Sequence, residues 1–316
     1  MMILNEADVR KQLTMPLCIS LMKQALSKLE TGEAVQPLRN VITLPGHNLF
    51  GFMPAWMDDY FGAKIITGFH GNAGTEYPSH MGYIMIFDSV HGAPVGMADA
   101  GTVTELRTGA VSAVATDLLA RKDAKSLAII GCGAQGRSHL AAILCVRNIE
   151  RVTCYDKVPE NAQRFAQEQG IKHGITIAVA ASVQDAVREA DIVCTLTPSR
   201  EAYLEAAWIA PGTHINAVGA FTPATREITS ELVARSRLYA DQIEAMKKEA
   251  GEYLIPLSEG IIGEDHIAGS LGAVLLGKAP GRQTDDEITL FNALGLAIED
   301  VLCAKTLVCQ AADGKP

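Results

Sequence analysis

In SLAIIGCGAQGRSHL, at residues 126–140, an apolar β-like run passes through a glycine-rich turn into a helical run. Glycine inside either element costs roughly 0.5–1 kcal/mol relative to alanine, so glycines at 131, 133 and 136 need a reason to be there. The spacing G-C-G-A-Q-G supplies one. Gly131 turns the chain off the strand, Gly133 lets the backbone approach a pyrophosphate, and Gly136 lets the helix pack close to the sheet. Ala134 and Gln135 then open the helix, where free N–H groups and the helix dipole favour phosphate. A second strand-like run ends in Tyr155-Asp156, and Asp156 follows Gly136 by 20 residues. At that place a carboxylate bonds the adenosine ribose and repels a 2′-phosphate. NAD(H) is the cofactor predicted, with NADP(H) the alternative because Lys157 stands next door. Thr195, Val218 and Gly219, at the ends of two later strand-like runs, complete the expected cofactor set.

Around this unit the chain alternates between strand and helix patterns. β-rich runs occur at SLAIIG, RVTCY, ITIAVA, DIVCTL, THINAVG and RLYAD. Helical candidates lie between them: PENAQRFAQEQG, with proline at its start and glycine at its end, and SVQDAVREA, opening on Ser182 as an N-cap. Six strands with helical crossovers predict an α/β architecture, a doubly wound parallel sheet of the Rossmann type over residues 122–289. Upstream, residues 40–100 hold short β-like runs broken by glycine and proline, and DSVHGAP reads as a hairpin turn. Helices are predicted at 20–30 and 105–121, with a last long one over 288–307. The domain boundary is expected at 121–125.

The formal net charge of −9, with scattered basic residues, argues against a nucleic-acid or anionic-membrane surface. The opening MMILNEADVRK lacks a signal peptide's apolar core, and no apolar run approaches the roughly 20 residues that span a bilayer. Seven cysteines without a C-x-x-C pair fit reduced, buried thiols in a cytoplasmic protein, and no metal site is predicted.

Arg39, Lys64, His80 and Arg107 are the chemical candidates of the first domain, each set among glycine, proline and apolar residues. Arg107 stands in TELRTGAVSAVA, read as the start of a helix. A cation there opposes the dipole, which points to an anionic partner. Lys64 lies inside the strand-like GAKII, where a cation faces either a pocket or solvent.

With these residues in view the chain resembles the ornithine cyclodeaminase/mu-crystallin family. The resemblance rests on MPAWMDDYFGAK, YPSHMGYIMIFD, ELRTGAVSAVA, IIGCGAQG, HINAVGA and LGLAIEDVLCAK, in the family's order over nearly the whole chain. It implies a homodimer whose first domain, residues 1–121 completed by the C-terminal helix from about residue 290, binds substrate and builds the interface. It also implies that Arg39, Lys64 and Arg107 hold the substrate carboxylate and the atoms beside it. Met53, Ser79 and His80 lie in the matching active-site segments. Two departures bear on the chemistry. The cyclodeaminase branch carries an acidic residue where this chain has Phe221, and a glutamate where it has Gly51-Phe52. Both carboxylates suited to a diamine are thus absent, and Phe221 suits a pocket wall for a ring.

The reading that follows is an NAD(P)H-dependent reductase of small cyclic imino acids, with Lys64, His80 and Arg107 as the catalytic residues. Ornithine cyclodeaminase, alanine dehydrogenase and a cofactor-retaining binding protein are the alternatives.

Overall fold

Buried and exposed residues alternate along NLFGFMPAWM and YFGAKIITG, which places these runs side by side in a sheet with two distinct faces. The computed structural model describes residues 1–72, 75–312 and 314. It has two units, Met1–Arg107 with the segment from Gly295 onward, and Thr108–Leu294. The first begins with β1 (Met2–Leu4), α1 (Glu6–Gln12), α2 (Met15–Thr31), β2 (Ala34–Val35) and β3 (Asn40–Leu44). β4 (Asn48–Met57), β5 (Tyr60–Gly68), β6 (His80–Asp88) and β7 (Pro94–Asp99) follow, leading into α3 (Ala100–Leu119). The sheet order is β1-β7-β6-β5-β4-β2, with β3 paired to β4. All its pairs are antiparallel except β1 with β7. The DSVHGAP segment is the predicted turn, held by the Asp88 carboxylate, which accepts from the N–H groups of Val90, His91 and Ala93.

The second unit contains β8 (Ser126–Ile130), α4 (Ala134–Leu144), β9 (Arg151–Tyr155), α5 (Pro159–His173), β10 (Ile177–Val179), α6 (Val183–Val187) and β11 (Ile192–Thr195). It continues through β12 (His214–Ala217), α7 (Ser230–Arg235), β13 (Ser236–Ala240), α8 (Ile243–Glu249), α9 (Gly251–Ser258), β14 (Ile267–Ser270), α10 (Leu271–Leu275) and β15 (Ile288–Asn292). Its strands form one parallel sheet in the order β10-β9-β8-β11-β12-β15-β13-β14. Leu127, Ile129, Leu140, Cys154 and Phe165 form a core against one side of it. Ser182 caps α6 as predicted, accepting from the Asp185 N–H at 3.0 Å. The chain order reverses between β8 and β11, which makes the carboxyl ends of these strands the crevice where ligands bind in such sheets.

Three expectations need correction. ITLFN at 288–292 is not the start of the last helix but β15, central in the sheet. A strand buried on both faces reads as an unbroken apolar run, which periodicity does not separate from a helix. The helix proper, α11 (Ala297–Ala312), belongs to the first unit, where it packs on α2 and on β4 to β7. Finally, α3 starts at Ala100, five residues before the predicted start at 105, because the Asp99 carboxylate accepts from the Thr102 N–H at 2.7 Å. The division between the units falls inside this uninterrupted helix, so no change of composition marks it. Among the described residues no helix is long and apolar enough to cross a membrane.

Candidate active site

Gly131 leaves β8 with φ at +103°, and a Cβ on Gly136 would stand 2.6 Å from the Gly131 carbonyl oxygen. Side chains are excluded at both positions. Gly133 has open space around it, and it precedes α4, whose first turn holds no acid. Exposed N–H groups at an uncrowded helix start are what a pyrophosphate requires. Ala134 is exposed, and Gln135 is half-buried with its Oε1 buried and unpartnered. Asp156, just beyond β9, accepts through Oδ2 from the Cys132 N–H and through Oδ1 from the Val158 N–H, each at 2.9 Å. Its carboxylate is thereby pinned to the glycine turn, while Lys157 is exposed. These residues fit a dinucleotide: a bare cradle for phosphates, and an oriented carboxylate at the end of the neighbouring strand.

On the other side of the switch point, the Val218 and Gly219 N–H groups both donate to the carbonyl of buried Thr195, at 3.0 and 3.2 Å. The three residues thus form one ledge at the ends of β11 and β12. Phe221, half-buried, follows the ledge.

In the first unit Lys64 stands mid-strand on β5, opposite Met53 on β4 and Ile84 on β6, and is only 2% exposed. Its Nζ lies 2.6 Å from Asp300 Oδ2 and 3.5 Å from Thr104 Oγ1. Arg107 donates through Nε to Asp300 Oδ1 at 3.1 Å and through NH1 to Glu299 Oε2 at 3.0 Å. Both acids are fully buried in the first turn of α11, where the dipole favours them. Burial pushes the Lys64 ammonium down to about 8; Arg107 and Arg39 act the same way, and Asp300 pushes back. Arg39 donates from NH2 to the Gly295 carbonyl at 3.5 Å, and Gly295 also packs against the Arg107 guanidinium.

Arg39, Met53, Lys64 and Arg107 are therefore brought to one place. His80 shares the Lys64 face of the sheet but pairs with Gly68, four residues along β5, or roughly 13 Å at strand rise. There its Nδ1 lies 3.1 Å from the hydroxyl of exposed Ser79. Arg107 is not at a helix start but is the eighth residue of α3. Its reason for being there is the pair of carboxylates that sequence reasoning missed. Their signal was present in LGLAIEDVLCAK, where two adjacent acids interrupt an apolar helical stretch. Gly51 lies on the Lys64 face, whereas Phe52 points to the opposite, exposed face. Among the described residues no group of three or more His, Cys, Asp or Glu side chains is placed to hold a metal ion.

Comparison with known proteins extends this geometry. The model of the ornithine cyclodeaminase/mu-crystallin family matches residues 1–315. The ketimine reductase mu-crystallin of Mus musculus is 36% identical over 293 residues, 92% of this chain and 89% of that protein. The Thermococcus litoralis Δ1-pyrroline-2-carboxylate reductase, solved in complex with NADH and L-proline, superposes with a TM-score of 0.96 at 38% identity, covering 99% of this chain and 98% of the other. An archaeal alanine dehydrogenase dimer with bound NAD superposes with a TM-score of 0.94 at 31% identity, covering 99% and 96%. With a buried lysine–carboxylate–arginine array in one unit and a dinucleotide cradle in the other, this chain belongs to the ornithine cyclodeaminase/mu-crystallin family.

Proposed function

We propose that this protein is an NADH-dependent reductase of cyclic imino acids, converting Δ1-pyrroline-2-carboxylate or Δ1-piperideine-2-carboxylate to L-proline or L-pipecolate, with NADPH the poorer donor. The observation that carries the reading is the buried array of Lys64, Asp300 and Arg107. Three cationic side chains, Arg39, Lys64 and Arg107, gather beside the carboxylates of Glu299 and Asp300, a setting suited to a substrate that carries a carboxylate. Arg39 and Arg107 pair with that carboxylate, each charge-assisted bond worth about 1.5–3 kcal/mol. Lys64 gives its Nζ proton to the imine nitrogen, which makes the ring carbon more electrophilic. An ammonium pushed down to about 8 is poised to do this near neutral pH. Phe221 is assigned to the wall that packs on the ring. Bound NADH supplies the hydride.

A substrate panel followed by NADH absorbance tests the reading. Cyclic ketimines are expected to turn over faster than ornithine, or than pyruvate with ammonia. Faster conversion of ornithine to proline would overturn it, as would tight ligand binding without turnover of any cyclic imine.

The pinned carboxylate of Asp156 also sets cofactor preference in this reading. Asp156→Ser is expected to shift the ratio of kcat/KM toward NADPH by about 5- to 150-fold. An unchanged ratio, or wild-type preference for NADPH, would show that the residue does not discriminate.

A homodimer completes the proposal. The sheet face away from Lys64 exposes Phe50, Phe52, Trp56, Phe61, Ile65 and Tyr83, and Phe61 stacks on Phe87 with centroids 5.2 Å apart. An isologous contact with a second copy covers such a face. Sedimentation at micromolar concentration is expected to report a dimer, and Trp56→Glu with Ile65→Glu to shift it to monomer. A fully active wild-type monomer contradicts this. A cytoplasmic location is supported by the seven free cysteines.

A further inference from the structure

Behind the ledge formed by Thr195, Val218 and Gly219 lies a carboxylate with no place in the chemistry described so far. Glu227 is fully buried. Its Oε1 accepts from the Thr197 N–H at 2.8 Å, the Thr197 hydroxyl at 2.6 Å and the Tyr203 hydroxyl at 2.7 Å. Its Oε2 accepts from the Gly219 N–H at 2.8 Å. Thr197 follows β11 and Gly219 follows β12, so one side chain ties together the loops at the carboxyl ends of both strands. The approach is close: a Cβ on Gly219 would come within 2.1 Å of the Thr197 carbonyl oxygen. Glu227 is itself fixed, because its N–H and that of Ile228 donate to the buried carboxylate of Glu252, at 2.6 and 3.2 Å. Its carbonyl accepts from the N–H groups of Tyr203 and Leu204. Burial and the neighbouring Glu227 hold the Tyr203 phenol well above its ordinary pKa, so it remains a donor.

A dinucleotide lying across the switch point has its adenosine half at Asp156, beyond β9, and its nicotinamide half on the β11–β12 side. We propose that Glu227 is a positioning residue for the nicotinamide half of the cofactor: by bracing the loops after β11 and β12 it holds the ledge in the shape that half requires. The inference rests on the dinucleotide reading above. A carboxylate is specifically required, since four donors converge on it and an amide at the same place turns one acceptor into a fifth donor.

The test uses the full chain and two probes, NADH and ADP-ribose, titrated calorimetrically against wild type, Glu227→Gln and Tyr203→Phe. ADP-ribose carries the adenosine and pyrophosphate but no nicotinamide. Glu227→Gln is expected to weaken NADH by about 10- to 100-fold while leaving ADP-ribose affinity unchanged. Tyr203→Phe, which removes a single donor, is expected to weaken NADH less and in the same selective way; it keeps the test open should Glu227→Gln fail to fold. Equal weakening of both probes would make Glu227 merely structural, and no change in either would remove the brace; each result overturns the inference while the cofactor reading stands. A wild-type protein that binds neither probe would instead defeat the cofactor reading.

Discussion

Lys64→Met is expected to lower kcat/KM for cyclic imine reduction by about 10²- to 10⁴-fold, the usual worth of a positioned proton donor. The pH dependence separates this role from a packing role. A donor acts only while protonated, and burial holds the Lys64 ammonium down to about 8 from an ordinary value of 10.5. Wild-type kcat/KM therefore declines as pH rises through about 8, well before an exposed lysine would titrate. Asp300 pushes the lysine up and Arg39 pushes it down, so the two neighbours make opposite predictions. Asp300→Asn moves the decline to lower pH, and Arg39→Met moves it to higher pH. The residual activity of Lys64→Met supplies the control: if it keeps the same decline, the substrate's own titration is the cause and Lys64 is not the donor. A decline that stays in place in both neighbour variants has the same consequence.

The second large effect is on stability. Arg107→Met removes the NH1 contact to Glu299 and the Nε contact to Asp300, while both acids remain fully buried. Breaking a buried ion pair by removing one partner costs about 3–5 kcal/mol, because the remaining charge is stranded away from water. Calorimetric melting is expected to show a markedly lowered transition. Adding Glu299→Gln to Arg107→Met is expected to restore part of the loss, since one of the two buried carboxylates that lose an Arg107 contact is then uncharged. If Arg107→Met melts with wild type, the carboxylates are not held as charges and the array has been misread. In the proposed reading Arg107 both pairs with substrate and neutralises the start of α11, and its replacement is expected to impair the two together.

The dinucleotide cradle was legible because everything it needs is local. Three glycines within six residues, a strand before them, a helix after them and Asp156 a short distance on are all set by spacing along one βαβ unit. The structure adds a φ of +103° at Gly131 and the close approach at Gly136, both of which the residue types announce. The hairpin at Asp88 and the cap at Ser182 were readable for the same reason, since a turn or cap is satisfied within a few residues. The start of α3 is equally local, set by the Asp99 carboxylate, although the small-residue helical pattern is strongest further downstream.

What the tertiary structure alone decided lies at long range. Arg107 meets Glu299 and Asp300 across 192 and 193 residues, and no periodicity spans that distance. From the sequence, Arg107 therefore looked like a cation awaiting an anion, when α11 returns to the first unit and supplies two. The pKa of Lys64 follows the same logic: burial dominates it, and burial depends on how sheet and helix close over the strand. β15 and Glu227 complete the pattern. A short apolar run becomes strand or helix according to what covers its two faces, and a glutamate in a polar loop becomes a brace only when β11 and β12 end beside each other. Local spacing determined the glycine cradle and the carboxylate beside it; the lysine–carboxylate–arginine array and the tie between the loops after β11 and β12 were set by residues that only the packed chain brings together.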